Sequence, residues 1–388
     1  MAGRLAMDVS VAVAEAVRLA NADVIAAYPI TPQTRIVERL AELVANGQLD
    51  ADYIPVESEH SAMSSSIGAA AAGARTFTAT SSQGLALMNE MVYVAPGLRV
   101  PIVMVVANRA ISAPIALGND HSDIMSVRDS GWLSFFAENG QEALDLTLAA
   151  FRIAEDPEVS LPVCLSLDGF ILTHITEPVL MPDQTEVDRF LPPFKPSVQL
   201  DIKDPISMGL WAPPDVYAEA RKAMALALFS AKKTVVKAFD EFNRIFGRRY
   251  RPVETYRQED AETVIISMGS ISETAMTAVD EMRDLGHKVG LVRLRLWRPF
   301  PEEELLAALA GAKNVAVVDR HLILGCGSGP VGLEVKSLVC NSGLRPNITN
   351  FFLGLGGRDV TRANFKYIRE RAAGVRNQLR AEFVGVYE

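Results

Sequence analysis

Ile102-Val103-Met104-Val105-Val106-Ala107, followed at once by Asn108-Arg109, is an apolar run with no polar alternation. A strand with one wet face alternates, so this one needs cover on both faces. That is the pattern of a central strand in a parallel sheet with helices on either side. Outward from it, β-rich runs at 24–28, 76–80 and 163–167 alternate with helical patterns at 34–45, 58–73, 85–94 and 141–153. Several of these helical patterns open at Ser, Thr or Gln and end at Gly or Asn. The first part of the chain therefore reads as a doubly wound α/β domain.

The alternation breaks between 177 and 214, where Pro178, Pro182, Pro192, Pro193, Pro196, Pro205, Pro213 and Pro214 leave no room for a long regular element. A charged amphipathic helix at 216–246 leads into a second alternating block. Its strands are expected at 263–267, 289–293, 315–319 and 348–352. A chain of 388 residues exceeds one ordinary core, since single cores stop growing near roughly 250–300 residues. The expected layout is a first α/β domain at 1–176, a Pro-rich connection and helix at 177–258, and a smaller α/β domain at 259–388. No internal repeat points to a solenoid.

The composition, 49% hydrophobic and 22% charged, is that of a folded globular chain. A net charge of −9 with scattered basic residues argues against a nucleic-acid surface, which needs clustered Lys and Arg. Residues 4–20 read as an amphipathic helix carrying Asp8 and Glu15, and no apolar run approaches the ~20 residues of a membrane helix. Neither a signal peptide nor a membrane span is expected. Cys164, Cys326 and Cys340 stand singly in or near apolar segments, the pattern of buried reduced thiols in a cytoplasmic protein. An iron–sulfur cluster needs about four cysteine ligands, so these three cannot hold one.

Three loops follow strands of the first domain, where ligands of open α/β sheets bind. In Tyr28-Pro29-Ile30-Thr31-Pro32 two prolines stiffen the turn and leave Thr31 either as a helix N-cap or as a free hydroxyl. Glu57-Ser58-Glu59-His60 opens a helix rich in Ala, Ser and Gly. Acids there complement the helix dipole, yet a helix so poor in large side chains also suits close approach by a backbone or a ligand. After the buried strand come Asn108-Arg109-Ala110-Ile111-Ser112 and Asn119-Asp120-His121-Ser122-Asp123. An arginine at a strand's carboxyl end can fork onto a carboxylate or lie on the surface. His121 has no second histidine near it and reads as a hydrogen-bonding residue rather than a metal ligand. Gly325-Cys326-Gly327-Ser328-Gly329 and Gly354-Leu355-Gly356-Gly357 read as turns that let backbones approach. Neither completes a dinucleotide fingerprint.

Together these stretches resemble the alpha subunit of pyruvate:ferredoxin oxidoreductase and related 2-oxoacid:acceptor oxidoreductases. The resemblance rests on Ala27-Tyr28-Pro29-Ile30-Thr31-Pro32, Glu57-Ser58-Glu59-His60, Thr80-Ser81-Ser82-Gln83-Gly84-Leu85, Asn108-Arg109-Ala110, Asn119-Asp120-His121-Ser122-Asp123 and Leu167-Asp168-Gly169-Phe170. Ile245-Phe246-Gly247-Arg248 and Leu296-Trp297-Arg298-Pro299-Phe300-Pro301 extend it nearly end to end. It implies a pyrimidine-binding domain followed by a transketolase C-terminal-like domain. The implied reaction is CoA-dependent oxidative decarboxylation of a 2-oxoacid to acyl-CoA and CO2, with thiamine diphosphate carrying the carbanion chemistry.

By that resemblance Glu59 hydrogen-bonds the aminopyrimidine ring and favours the imino tautomer that deprotonates the thiazolium carbon. Pro29 and Ser82 line the cofactor, and Thr31, Arg109 and Ser112 receive the substrate. A magnesium-diphosphate motif is absent, since Asp168-Gly169 lacks the leading glycine. A beta subunit is therefore expected to bring the diphosphate and Mg2+ half. A gamma subunit and a ferredoxin-like iron–sulfur subunit are expected as further partners, with the [4Fe-4S] clusters in partner subunits and CoA as co-substrate. No metal is expected on this chain.

Where pyruvate enzymes of the family carry an aromatic residue, this sequence has Leu117-Gly118-Asn119, so Gly118 reads as a removed pocket wall. A substrate bulkier than pyruvate, aryl or branched, phenylglyoxylate for example, is the expectation. The rival readings are a non-catalytic scaffold subunit and a self-contained non-oxidative thiamine decarboxylase.

Overall fold

The computed structural model describes residues 4–376 and 378–387. In chain order the strands are β1 (Arg4–Asp8), β2 (Val24–Ala27), β3 (Asp52–Pro55), β4 (Thr76–Thr80), β5 (Ile102–Asn108), β6 (Leu133–Phe136), β7 (Val163–Asp168) and β8 (Thr176–Leu180). The second half adds β9 (Val253–Tyr256), β10 (Thr263–Ser267), β11 (Val289–Leu294), β12 (Leu296–Arg298), β13 (Asn314–Asp319), β14 (Asn347–Phe352) and β15 (Glu382–Phe383). Two main sheets result, in the orders β12-β6-β7-β5-β4-β2-β3 and β15-β14-β13-β10-β11-β9. Each is parallel apart from one antiparallel edge strand, β12 in the first and β9 in the second. This is the expected α/β architecture, two doubly wound units in series.

Every residue of β4, β5 and β7 is buried, as their β-branched and apolar content requires. On one face, Val13 and Val17 of the helix Val9–Leu19 and Leu144, Leu148 and Phe151 of the helix Gly140–Ala154 share a core with Phe77, Val103 and Leu165. On the other, Met63, Leu85, Val92, Met104 and Val106 form a core that continues into Val264, Ile266, Val292 and Trp297 of the second unit. The two sheets are thus joined by apolar packing rather than tethered. Burial of this kind contributes roughly 25 cal/mol per Å2 of apolar surface.

Several sequence expectations need correction. Residues 4–8 do not begin a helix. They form β1, which pairs antiparallel with β8 across the Pro-rich stretch, Arg4 opposite Leu180. The helix that follows is buried almost all round, Glu15 included, so it is not amphipathic in the ordinary sense. The helix expected at 85–94 is two helices, Ser82–Leu87 and Asn89–Gly97, which meet at buried Met88. Of the cysteines only Cys164 is buried; Cys326 lies in the exposed glycine-rich loop and Cys340 at a helix end, and both are exposed.

β12 is the least expected element. One residue past the end of β11, in the second sheet, Leu296–Arg298 pairs with β6 of the first, Leu296 opposite Phe135. Beside it, buried Arg295 donates to Glu142 Oε1 at 2.6 Å. The long helix Pro214–Phe246 ends at Gly247 in the left-handed region and buries side chains mainly in its second half. No helix among the described residues is long and apolar enough to cross a membrane.

Candidate active site

The sheet order sets β7, β5, β4 and β2 side by side, so the loops after them open on one edge. From β2 the chain passes to β3 on one side and returns to β4 on the other. The crevice between the loops after β2 and β4 is where such a sheet accepts a ligand.

After β2, buried Gln33 donates from Nε2 to the carbonyls of Tyr28 (3.0 Å) and Ala79 (2.9 Å), tying this loop to β4. The helix starts only at Thr34 with Gln33 at its cap position, so Thr31 is not an N-cap. The side chain of Thr31 is exposed, as is Pro29 beside it, while the Thr31 carbonyl accepts from Arg109 Nη1 at 2.7 Å.

Glu59 is the first residue of the helix Glu59–Ala71, capped by Ser58 through Ser61 N at 3.2 Å. An acid in a first turn ordinarily faces water, yet Glu59 is 6% exposed. It turns inward to the loop after β4. A Cβ placed on Gly84 would stand 2.6 Å from Glu59 Oε1 and 2.5 Å from Thr80 Oγ1. The close approach at Glu59, the start of the small-residue helix, is thus made by Gly84 of the helix Ser82–Leu87. Around it, Thr80 Oγ1 and Ser81 Oγ are buried without a hydrogen-bond partner among the described residues.

Arg109 follows β5 and is 8% exposed. Among the described residues its side-chain partners are the Thr31 carbonyl and Gln83 Oε1, both neutral, and its buried Nε has none. Burial pushes the guanidinium below its ordinary pKa, offset in part by the Asp123 and Glu59 carboxylates. Five N–H donors with so few acceptors leave capacity for an anion. Ser112 is exposed and accepts from Gln83 Nε2 at 2.7 Å, so it reaches Arg109 through Gln83. Ser82 is fully buried. Its hydroxyl lies 2.8 Å from the Ala110 carbonyl and its N–H donates to Asp123 Oδ2 at 3.1 Å.

Asp123, to which the sequence pattern assigns no role, is fully buried. Burial pushes its carboxyl up to about 6, against the lowering effect of hydrogen bonds from Arg109 N, Asn108, Ser82 N and Ile124 N. His121 forms the hydrogen bond expected of it, Nε2 to Asp168 Oδ1 at 3.0 Å. Asp168 also takes Ser270 N at 2.7 Å and lies 2.8 Å from Arg320 Nη1. Burial alone would raise Asp168, but Arg320, His121 and Ser270 hold it well below the usual carboxylate range. Among the described residues no group of three or more His, Cys, Asp or Glu could hold a metal ion.

Gly118 corrects the removed-wall reading. A Cβ there would stand 2.1 Å from the Gly356 carbonyl oxygen, so the space is filled by second-domain backbone and not by an enlarged pocket. Gly357 N donates to the Asn119 carbonyl at 2.6 Å and Gly356 N to Asp120 Oδ2 at 3.2 Å across the same seam. Sequence reasoning missed Gln33, Gln83, Gly84 and Arg320. Gly84 alone carried a local signal, a glycine in the loop after a buried strand.

Two family models cover most of the chain: "Pyruvate flavodoxin/ferredoxin oxidoreductase, thiamine diP-bdg" over residues 15–240 and "Pyruvate:ferredoxin oxidoreductase core domain II" over 261–365. The chain is 51% identical to pyruvate synthase subunit PorA of Methanothermobacter thermautotrophicus over 93% of each. It is 48% identical to ketoisovalerate oxidoreductase subunit VorA of Pyrococcus horikoshii, over 90% of this chain and 89% of that one. Among solved structures, 2-oxoglutarate:ferredoxin oxidoreductase from Magnetococcus marinus shares the fold with TM-score 0.70 at 20% identity, over 96% of this chain and 65% of that chain. A split-gene transketolase does so with TM-score 0.58 at 12% identity, over 96% of this chain and all of that chain. With its two domains matched in order and its relatives aligned nearly end to end, the chain belongs to the pyruvate flavodoxin/ferredoxin oxidoreductase family.

Proposed function

We propose that this chain is the alpha subunit of a CoA-acylating 2-oxoacid:ferredoxin oxidoreductase and supplies the pyrimidine and carboxylate side of a thiamine diphosphate site. The observation that carries this reading is Arg109, a buried guanidinium bonded only to a carbonyl and an amide, on the same strand edge as the buried Glu59 carboxylate. Burial of this guanidinium is costly and is offset only in part by the Asp123 and Glu59 carboxylates, and an incoming carboxylate would relieve the rest.

The edge fits the cofactor. The inward Glu59 carboxylate, packed against Gly84 where a side chain is missing, and the buried Thr80 and Ser81 hydroxyls, which have no partner among the described residues, are polar groups that a bound ring would satisfy. Thiamine diphosphate, when bound, supplies the carbanion that attacks the 2-oxo carbon. Glu59, 6% exposed, would hold a hydrogen bond to the aminopyrimidine ring nitrogen, and its burial would strengthen that bond. Arg109 takes the substrate carboxylate, and the Thr31 loop closes the same side. Orientation is this chain's main contribution to the rate.

The diphosphate and Mg2+ fall to a beta subunit, and CoA and the [4Fe-4S] electron path to gamma and ferredoxin-like subunits, in a cytoplasmic complex. Pyruvate is the first substrate choice and a branched 2-oxoacid the second, in keeping with the names of the relatives. Phenylglyoxylate loses its support with the reassignment of Gly118. The open polar edge argues against a scaffold subunit, since a surface that only docks partners has no reason to bury an unpaired Arg109. Steady-state rates of the assembled complex with pyruvate, 2-oxoisovalerate, 2-oxoglutarate and phenylglyoxylate test the reading. Pyruvate or 2-oxoisovalerate should lead, and a preference for 2-oxoglutarate or phenylglyoxylate would refute the substrate choice.

A further inference from the structure

The carboxylate of Asp123 is fully buried and gathers four hydrogen bonds. Oδ2 accepts Ser82 N at 3.1 Å and Arg109 N at 3.0 Å, and Oδ1 accepts Asn108 Nδ2 at 2.9 Å and Ile124 N at 2.8 Å. Only the last belongs to its own short helix. The other three come from the loop after β4 and the end of β5, the two places that carry Gly84 and Arg109.

Arg109 is thus referred to the loop after β4 at both of its ends. Its main-chain N–H shares Asp123 Oδ2 with Ser82 N, and its guanidinium bonds Gln83, the next residue along. Ser82 sits at φ +45°, a region L residues avoid, so this loop needs outside bonds to hold its shape. We propose that Asp123 is a positioning residue for substrate capture. Its carboxylate fixes the spacing between the Arg109 loop and the Ser82–Gly84 loop, and so the place of the guanidinium relative to Glu59. The proposal rests on the reading of Arg109 as the carboxylate receiver.

The charge matters as well as the shape. An ionised carboxylate has acceptor capacity for four converging donors, whereas an asparagine would turn its NH2 toward two of them. Asp319 in the second domain is the contrasting case. It is equally buried and also accepts backbone N–H bonds, from Val331 and Gly332, but both lie in the helix Pro330–Cys340 that it caps. A purely structural cap looks like Asp319. Asp123 spends its bonds on the site loops instead.

The test measures KM for pyruvate and for CoA, with kcat, on the assembled complex carrying Asp123→Asn, Asn108→Ala or Arg109→Gln. Loss of hydrogen bonds to a charged group is expected to raise KM for pyruvate about 10-fold or more in Asp123→Asn and roughly 3-fold in Asn108→Ala. KM for CoA should stay within about 2-fold in both, since general loosening would move the two constants together. Should Asp123→Asn fail to assemble, Asn108→Ala decides by itself. If Arg109→Gln raises KM for pyruvate while the Asp123 and Asn108 variants leave it unchanged, or shift the CoA constant equally, the positioning role is overturned and the Arg109 reading stands. If Arg109→Gln itself leaves KM for pyruvate unchanged, that reading fails and the Asp123 proposal falls with it.

Discussion

The carboxyl edges of the two sheets are built alike and finished differently. Each has glycine-containing loops, a helix opening just beyond and a fully buried aspartate whose carboxyl burial pushes up to about 6. At the second edge the groups around Asp319 saturate one another, although Arg320 beside them keeps Nε without a hydrogen-bond partner among the described residues. Asp319 takes Val331 N, Gly332 N and Asn350 Nδ2, while Asn350 Oδ1 takes Gly329 N and Ser328 Oγ. At the first edge Thr80, Ser81 and the Nε of Arg109 are left without partners. Buried polar groups are costly to leave unmade, and under the proposed function a bound cofactor and substrate would satisfy those of the first edge. The second edge also serves as a buttress, reaching across through Arg320 to Asp168 and through Gly356 to Asp120 in the loops of the first.

The largest effect that would break this contrast concerns Glu59. Glu59→Gln keeps size and burial but removes the ionisable carboxyl, and turnover of the assembled complex should fall by about 10^3 with subunit assembly unchanged by size-exclusion chromatography. Retained turnover would make Glu59 a helix-dipole residue after all. Next comes Gly84→Ala, whose Cβ must displace the Glu59 carboxylate and the Thr80 hydroxyl. The Glu59 carboxylate can swing aside while Thr80 is fixed on its buried strand, so activity should drop roughly 10^2-fold with a stability loss of about 1 kcal/mol.

Gly118→Ala reverses that pattern. Its Cβ meets the Gly356 backbone, which cannot swing aside, so the expected result is a stability loss of about 1–3 kcal/mol in thermal melts. The order of preference among 2-oxoacids should stay as it is in the unmodified complex. A selective loss of branched substrates, with unchanged stability, would restore Gly118 as a pocket residue.

The smallest effect sharpens the comparison through pH. Asp319 rises from the ordinary 3.8 to about 6 on folding, chiefly by burial. A raised carboxyl pKa costs stability where the group is ionised, fully so above about 6, and that cost is relieved as pH falls through 6 toward 3.8. Asp319→Asn should therefore flatten the pH dependence of stability in that window, on the order of 2 kcal/mol, and leave KM for pyruvate alone. A rise in that KM would show that the second edge is part of the site.

Much of this was legible in the order of residues. The apolar run in β5, the prolines around Thr31 and the inward strands of both domains follow from patterns a few residues wide, and such patterns survive whatever surrounds them. Edge strands β9 and β12 were not legible, because Val253-Glu254-Thr255-Tyr256 and Leu296-Trp297-Arg298 are short and take their pairing from neighbours. The helix expected from residue 4 failed for the same reason, since β1 exists only through β8.

At the candidate site the sequence by itself determined which loops gather the polar residues of the proposed chemistry, because a strand's carboxyl end and the turn after it are local facts. Glu59 and Arg109 could be named from it. Only the tertiary structure decided that Arg109 is buried among neutral partners, that Asp123 hangs it from the loop after β4, and that Gly118 faces backbone rather than a pocket. The physical reason is distance along the chain. Whether a polar group is satisfied, or a glycine obligatory, depends on atoms that folding brings from hundreds of residues away, as Gly356 comes to Gly118.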